Sequence, residues 1–360
     1  MIFKKLVLIG FISLTITKLL AQTGSIYTSA EYRYGSILAH HPEMKEYTSN
    51  KVNSFELNIG KQTTGKHDWE QLYHYPTYGL GYFYGDFNNP KVLGQAHAGF
   101  VYLDFHFIQR PSFFISAKYS LGASYFKTIF DSIENPINQA IGTNLNVYFS
   151  IGLKANIRLS KRFYLFAGGN FSHFSNGATQ KPNLGINLTD ASIGLQYYFN
   201  ERTYHFEPKE LTPCNKDYNL VVLFSAGSLQ RTIESPHFFS STFTINGTKQ
   251  TGPKHSWGLG ADFFYDESVK PELEDKNAST SLGNTLRQGL YISHDLIISR
   301  LSVITNLGAY TYYKTTPSQP IYFRIGLRCK VTKHLLANLS LKTHYGKADF
   351  IECGLGYSWK

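Results

Sequence analysis

The amino-acid sequence predicts an all-β protein: a transmembrane antiparallel β-barrel of the outer membrane with about 16 strands. Three observations support this fold class: an export leader, an unusual composition and long segments that alternate between apolar and polar residues. Aromatic residues make up 16% of the 360 residues, whereas charged residues make up only 17%. Such a balance is typical of strands that face lipid on one side and water on the other, with aromatic girdles at the membrane interfaces.

Residues 1–21 have the pattern of a signal peptide. Lys4 and Lys5 precede an apolar run over residues 6–16, and Ala21 offers a cleavage site. We therefore expect the mature chain to be exported. No cysteine follows the cut, which argues against a lipoprotein anchor, and no later segment reaches the roughly 20 apolar residues of a membrane helix.

The charge and the cysteines exclude several function classes. The formal charge is +10, and three of the positive charges lie on leader lysines. An exported basic protein without a nucleic-acid motif is expected to meet phosphorylated lipid rather than nucleic acid. Three cysteines, an odd number, do not form a disulfide framework.

The segment "NLNVYFSIGLKANIRL", residues 144–159, gives the clearest strand signal. Every odd position from Leu145 to Leu159 is apolar, and most even positions are polar. This period of two indicates a strand with one dry and one wet face. Membrane strands need about 9–11 residues, which this segment exceeds.

Similar segments predict eight strands in each half of the chain. They lie near residues 26–38, 52–61, 69–84, 95–108, 112–125, 144–159, 162–175 and 189–199, and then near 217–230, 237–246, 254–265, 285–298, 301–313, 319–331, 334–345 and 350–359. We divide the mature chain into a half over 22–200, a linker over 201–216 and a second half over 217–360. The two halves resemble a diverged repeat. A single barrel is the preferred closure, and two eight-stranded units are the alternative.

Connections in the first half alternate between long and short. The long ones fall at 39–51, 86–94, 126–143 and 176–188. Outer-membrane barrels have long external loops and short periplasmic turns. We therefore expect the loop at 176–188 to lie on the outer side.

The stretch "FSHFSNGATQKPNLGINL", residues 171–188, contains the candidate catalytic site. His173 and Ser175 are two residues apart on a predicted strand, so their side chains share a face. Their positions match the apolar residues of that strand, which predicts that they face lipid. Asn187 has the corresponding position on the next strand.

These residue types suit the hydrolysis of an ester. A serine hydroxyl becomes nucleophilic when a histidine accepts its proton, and a third group must orient the imidazole. We assign these three roles to Ser175, His173 and Asn187. The side chain of Asn176 and the backbone N–H of Gly177 are the candidate donors to an oxyanion.

The motif "HFSNG" followed by "KPNLGIN" resembles the signature of the lipid A 3-O-deacylases (PagL-like acyloxyacyl hydrolases), over about residues 26–199. The resemblance implies that His173 is the base, Ser175 the nucleophile and Asn176 its characteristic neighbour. Asn187 departs from that family, which has a glutamate there. An asparagine at this place is similar to outer-membrane phospholipase A.

The resemblance implies a serine esterase in the outer membrane of a Gram-negative bacterium. The expected substrate is lipid A of lipopolysaccharide, with phospholipid as the alternative. No metal and no cofactor is expected, although a phospholipase would use calcium. A non-catalytic pore or structural barrel is the alternative from another class. The sequence does not predict the oligomeric state.

Two other histidine-containing stretches received structural interpretations. "HYGKADFIE" places His344 where the first half has His173, but Gly346 replaces the serine, and a pair with Glu352 inside the barrel is expected. "AHHPEM" contains His40 and His41, residue types that can ligate metal, but a loop position without a site is the favoured interpretation.

Overall fold

A computed structural model describes residues 24–359, except residues 48, 203–205, 207, 215, 316 and 318. The predicted signal peptide lies outside the described residues. Sixteen antiparallel strands close into two separate barrels, which confirms the all-β class and the strand number. The first barrel contains β1 (Ile26–Ile37), β2 (Lys51–Gln62), β3 (Thr77–Asp86), β4 (Gln95–Gln109), β5 (Phe113–Phe126), β6 (Leu145–Arg158), β7 (Phe163–Ser175) and β8 (Ile186–Tyr198).

The second barrel follows after a connection over residues 199–217. It contains β9 (Tyr218–Leu229), β10 (Phe238–Gln250), β11 (His255–Asp266), β12 (Leu286–Ile298), β13 (Leu301–Tyr312), β14 (Ile321–Lys330), β15 (Leu335–His344) and β16 (Lys347–Trp359). Short helices lie in the loops, at Pro42–Tyr47, Asp68–Leu72, Glu267–Val269, Lys270–Asp275 and Leu282–Thr285. None of these described helices is long and apolar enough to cross a membrane.

The preferred closure as a single barrel is wrong, and the alternative of two eight-stranded units is confirmed. β1 pairs with β8 from Tyr27 opposite Tyr198 to Ile37 opposite Leu188. In the second half, β9 pairs with both β10 and β16. Each sheet therefore satisfies its own edges, as it must in lipid, where an unpaired backbone group costs several kcal/mol.

One predicted strand begins too early. The sequence predicts the third strand near 69–84, but Asp68–Leu72 is helical and β3 begins only at Thr77. The cause is Glu70, whose carboxylate accepts hydrogen bonds from the backbone N–H groups of Thr64, Gly65 and Lys66 at 3.2, 2.8 and 2.8 Å. This local contact holds the chain in a compact loop.

A network of charges fills the interior of the first barrel. Arg33 forms salt bridges with Glu31 and Glu56, while Lys154 pairs with Glu31 and Lys118 pairs with Glu56. All five side chains are almost completely buried. An eight-stranded barrel leaves just enough interior space for side chains, so the network packs the barrel instead of lining a pore.

The second barrel has a comparable interior. Arg324 lies between Asp262, at 2.9 Å, and Glu352, at 2.6 Å. The expected pair of His344 with Glu352 is therefore wrong, because Arg324 binds this carboxylate. The imidazole of His344 instead contacts the hydroxyl of Tyr310 at 3.0 Å.

The two barrels contact each other at both ends. At the end with the long loops of the first barrel, the backbone N–H of Gln230 donates to the carbonyl of Ala178 at 3.0 Å. At the opposite end, the Tyr73 hydroxyl donates to the carbonyl of Ile297 at 2.8 Å, and Lys254 lies over the Tyr73 ring. The barrels are thus held side by side at their two rims.

We predict that Glu56→Ala strongly destabilises the first barrel. The change leaves Lys118 buried without its countercharge and Arg33 with only one of its two carboxylates, and breaking a buried pair in this way typically costs about 3–5 kcal/mol. Denaturant-induced unfolding in lipid vesicles measures the change. Glu201→Ala, which removes a half-exposed partner of Arg158, is the control and is expected to cost about 0–1 kcal/mol. Equal effects of the two changes would contradict the structural role of the network.

Candidate functional site

The β7–β8 hairpin brings His173 and Asn187 together. The two residues lie directly opposite each other in the strand register, so their side chains project from the same face of the sheet. The imidazole Nδ1 of His173 and the side-chain oxygen of Asn187 are 2.6 Å apart. This distance is that of a strong hydrogen bond.

β7 holds the histidine and the serine outward by anchoring the residue between them. Phe174 is completely buried inside the barrel. Its ring packs against those of Tyr148, Phe126 and Phe83, with centroids 5.1, 5.5 and 5.8 Å away. Since successive side chains of a strand alternate between faces, this anchor fixes His173 and Ser175 on the outer surface of the barrel.

A chain of hydrogen bonds determines which nitrogen of His173 carries the proton. His40, in the loop after β1, lies 2.9 Å from the carbonyl oxygen of Leu184 through its Nε2, and 3.1 Å from the amide nitrogen of Asn187 through its Nδ1. A carbonyl only accepts, so Nε2 of neutral His40 is the donor and Nδ1 accepts from Asn187. The Asn187 oxygen then accepts from His173, which places the His173 proton on Nδ1.

This assignment leaves Nε2 of His173 with a free lone pair, as a general base requires. His40 Nδ1 also lies 3.4 Å from the Leu38 carbonyl. A hydrogen bond there would need the proton on the other nitrogen and would leave the nearer Leu184 oxygen without a donor. The shorter contacts therefore favour the arrangement that makes His173 a base.

The oxygen of Ser175 lies between two hydrogen-bond donors. The backbone N–H of Gly177 donates to Oγ at 3.1 Å, and the side-chain amide of Asn183 donates at 2.9 Å. His173 makes no hydrogen bond with this hydroxyl in the described structure. The two donors therefore hold the hydroxyl oxygen of the resting serine.

The side chain of Asn176 has a different environment. It is buried, and its amide nitrogen donates to Thr143 at 3.2 Å and to the carbonyl of Gln180 at 3.0 Å. Both of its N–H groups are thus used to close the loop over residues 176–185. Of the two residues expected to donate to an oxyanion, Gly177 contacts Ser175 and the amide of Asn176 does not, whereas the amide of Asn183 does.

Two glycines allow this loop to return close to the site. Gly177 has a φ of 64° and Gly185 a φ of 75°, a region that side chains disfavour. A Cβ on Gly185 would lie 3.1 Å from the His173 ring, and one on Gly177 would collide with Ile351 of the second barrel. The loop is therefore packed against the histidine on one side and against β16 on the other.

The other histidines of the two stretches, His344 and His41, have partners of their own. His344 contacts the Tyr310 hydroxyl inside the second barrel. Two residues after it stands Gly346, where Ser175 follows His173 in the first barrel. His41 packs against His40 with ring centroids 4.8 Å apart. Within the described part of the chain, no three His, Cys, Asp or Glu side chains gather into a possible metal site.

Two models of protein families match the chain. Residues 53–196 match the lipid A 3-O-deacylases (PagL), and residues 216–360 match the C-terminal domain of the acyloxyacyl hydrolases. The chain belongs to the lipid A 3-O-deacylase family. The resemblance seen in the sequence is thereby confirmed, and membership of this family indicates a hydrolase that acts on lipid A, built as an outer-membrane barrel.

The chain also has low similarity to several solved structures. Neisserial surface protein A (NspA) has 12% identity and a TM-score of 0.33, covering 49% of this chain and 100% of its own. The siderophore receptor PirA from Acinetobacter baumannii has 10% identity and a TM-score of 0.23, covering 89% of this chain and 43% of its own. Omp33 from the same organism has 8% identity and a TM-score of 0.17, covering 94% and 98%. Among curated proteins, none matches this deacylase-family chain.

Sequence reasoning missed two residues of the site, His40 and Asn183. His40 was considered only as a possible metal ligand, and it precedes the span that matches the deacylase family. Its 147-residue separation from Asn187 is bridged by the β1–β8 pairing, which no local pattern reveals. Asn183 was visible within the motif "KPNLG", but its contact with Ser175 depends on the fold of the loop.

We predict that His40→Ala lowers kcat for ester hydrolysis about 10- to 100-fold, the usual effect of losing an orienting outer partner. Without His40, the Asn187 amide can rotate and donate to His173, which places the proton on Nε2 and removes the base. KM should change little because His40 is not next to Ser175. Steady-state kinetics and ¹⁵N NMR of the His173 tautomer measure the two effects.

The decisive control is Asn187→Asp. A carboxylate can only accept a hydrogen bond, so it holds His173 in the required tautomer without help from His40. In this background, His40→Ala should cause little further loss. If His40→Ala lowered kcat as much in the Asn187→Asp protein as in the wild type, His40 would act by supporting the fold. His237→Ala, which removes a histidine from an exposed loop, is the control for the loss of any histidine.

Proposed function

We propose that the protein is a serine esterase that removes an acyl chain from lipid A, with Ser175 as nucleophile, His173 as general base and Asn187 as the group that orients the base. One observation carries the proposal. The hydrogen bonds that join Leu184, His40, Asn187 and His173 keep the proton of His173 on Nδ1 and leave its Nε2 unprotonated. Ser175 lies two residues away, and two hydrogen-bond donors hold its hydroxyl oxygen.

Acylation would begin when the ester carbonyl oxygen takes the two donors that now hold Ser175. The hydroxyl, released from Gly177 and Asn183, donates its proton to Nε2 of His173 as Oγ attacks the carbonyl carbon. The resulting oxyanion is stabilised by the same two donors, each typically worth about 2.7–4 kcal/mol. The C–O bond of the ester then breaks, and His173 gives its proton to the sugar oxygen that leaves as a hydroxyl group.

Deacylation would repeat these steps with water. His173 accepts a proton from the water as its oxygen attacks the acyl carbon on Ser175. The Ser175–acyl bond breaks, Oγ regains its proton from His173, and a fatty acid is released. Asn187 keeps the proton of His173 on Nδ1 throughout, as the third member of such a triad must.

The position of the site supports a substrate in the outer leaflet. Ser175 ends β7 at the rim that carries four long connections of the first barrel, whereas the opposite rim has two short turns, 110–112 and 159–162, and one long connection, 63–76. In outer-membrane barrels, long loops are external. Lipid A lies in the outer leaflet of Gram-negative outer membranes, so an external orientation of this rim would bring its ester bonds near Ser175.

We predict that cells expressing the wild type contain lipid A lacking one acyl chain and that cells expressing Ser175→Ala contain intact lipid A. Mass spectrometry of extracted lipid A measures the difference, and heat-modifiable migration on gels checks that both proteins are folded. Intact lipid A in both strains would refute the proposal. Calcium-dependent release of lysophospholipid by the folded wild type would instead identify a phospholipase.

We further predict that Asn183→Ala lowers kcat about 10²–10³-fold, the usual effect of losing one oxyanion donor. Its folding should stay intact because the residue is only partly buried in a surface loop. Asn176→Ala is the comparison, since it removes the hydrogen bonds that close the loop and should lower stability together with activity. If Asn176→Ala lowered kcat without a change in stability, Asn176 would be the second donor.

A further inference from the structure

Between their two points of contact, the barrels leave an open cleft. Its volume is about 2710 Å³, well above the roughly 300–1,000 Å³ of common small-molecule pockets. Residues of β2 to β7 form most of one wall, and residues of β12 to β16 form most of the other. The cleft therefore exists only because the second barrel stands beside the first.

The walls of the cleft are mainly apolar. Leu103, Phe149 and Ile151 line it on the first barrel, and Val303, Leu339 and Ile351 line it on the second. These are the faces that a single barrel would turn toward lipid. An elongated apolar space between two such faces suits acyl chains.

The candidate catalytic residues line the cleft at its end nearest the long loops of the first barrel. His173, Ser175, Asn183 and Asn187 all line it. The turn between β15 and β16 also lines the cleft, through Tyr345, Gly346 and Lys347, and Ile351 of β16 lies beside Gly177, next to the catalytic residues. A lipid in the cleft would thus contact the catalytic serine and the second barrel at once.

Two lysines give this end a positive charge. Lys181 comes from the loop after β7, and its backbone N–H donates to Gln230 of the second barrel at 2.7 Å. Lys347 is exposed at the start of β16. Neither ammonium group forms a salt bridge with a described carboxylate, whereas nearby Arg231 is held by Asp349 and Asp266 at 2.8 and 2.9 Å.

The environment of Lys181 is unfavourable for its own charge. Burial, followed by the charges of Lys347 and Arg231, lowers the pKa of this ammonium below its usual value. An anionic ligand beside the two lysines would relieve this repulsion. Phosphate monoesters supply such a charge and bind lysine well.

We propose that the second barrel is the substrate-binding half of the protein: the cleft holds the acyl chains of a phosphorylated glycolipid, and Lys181 and Lys347 bind its phosphate. The proposal rests on the lipid A deacylase function proposed above. It assigns a role to residues 217–360, which contribute one wall of the cleft and one of the two lysines. The ester bond next to the phosphorylated sugar is then presented to Ser175.

Binding to the inactive full-length Ser175→Ala protein tests the phosphate contact without turnover. The probes are diphosphorylated lipid A and the same lipid after enzymatic dephosphorylation, each in detergent micelles. Lys181→Gln/Lys347→Gln should bind the phosphorylated lipid about tenfold more weakly, the effect of losing a charge-assisted hydrogen bond. Lys127→Gln/Lys314→Gln, which removes two exposed loop lysines, is the matched control.

The dephosphorylated lipid should bind equally to the parent and to both double variants. If the phosphorylated lipid also bound equally to all three, the assignment of the lysines would be wrong. Weaker binding of both lipids to the Lys181/Lys347 variant alone would contradict a phosphate contact as well, because it would show a general defect.

A tryptophan tests the cleft itself. Leu339→Trp on β15 narrows the cleft, whereas Leu307→Trp on β13 adds the same bulk to an exposed outward position outside the cleft. The first change should lower the ratio of long-chain lipid A turnover to hydrolysis of a short soluble ester about tenfold. Equal ratios for the two variants would refute binding in the cleft.

The two proposals fail in different ways. If the wild-type protein left lipid A intact but bound it with the expected dependence on the two lysines, the proposed esterase activity would be refuted. The proposed substrate-binding role of the second barrel would then still hold. A wild type that deacylates lipid A, with neither the lysines nor Leu339 affecting binding or turnover, would retain the esterase and refute the role of the second barrel.

Discussion

The alternation of side chains along β7 is the constraint on which the candidate site depends. Phe174 packs among aromatic rings inside the first barrel, so the side chains of His173 and Ser175 must point outward. Polar groups on the outside of a membrane barrel are costly when they lack partners. Here Asn187, Asn183, His40 and the N–H of Gly177 satisfy them, and the adjoining barrel partly covers them.

Periodicity made much of this architecture predictable. The strands, their number and the outward face of His173 and Ser175 all follow from a repeat of two, which is a local property of the sequence. The opposition of His173 and Asn187 was also accessible, because a single hairpin joins β7 and β8. The helix at Asp68–Leu72 was not, since it depends on one carboxylate, that of Glu70, which binds three backbone N–H groups.

The closure of the barrels and the contact of His40 with Asn187 depend on residues that are distant in sequence. The pairing of β1 with β8 decides that there are two barrels, and the same pairing brings His40 to Asn187. A period of two contains no information about which strands meet. The partners of Asn176 could not be predicted for a related reason: the amide of a polar residue next to a serine can face the site or the loop, and here it donates to Thr143 and Gln180.

The way each sheet closes also bears on how the chain folds. Both edges of the first sheet are sealed by strands that lie within residues 26–198, and both edges of the second within 218–359. The strand pairing with the largest sequence separation therefore spans about half of the chain. Each half can complete its backbone hydrogen bonds without the other. We expect the two halves to behave as separate cooperative units, each with its own buried ion network as the last element to be disrupted.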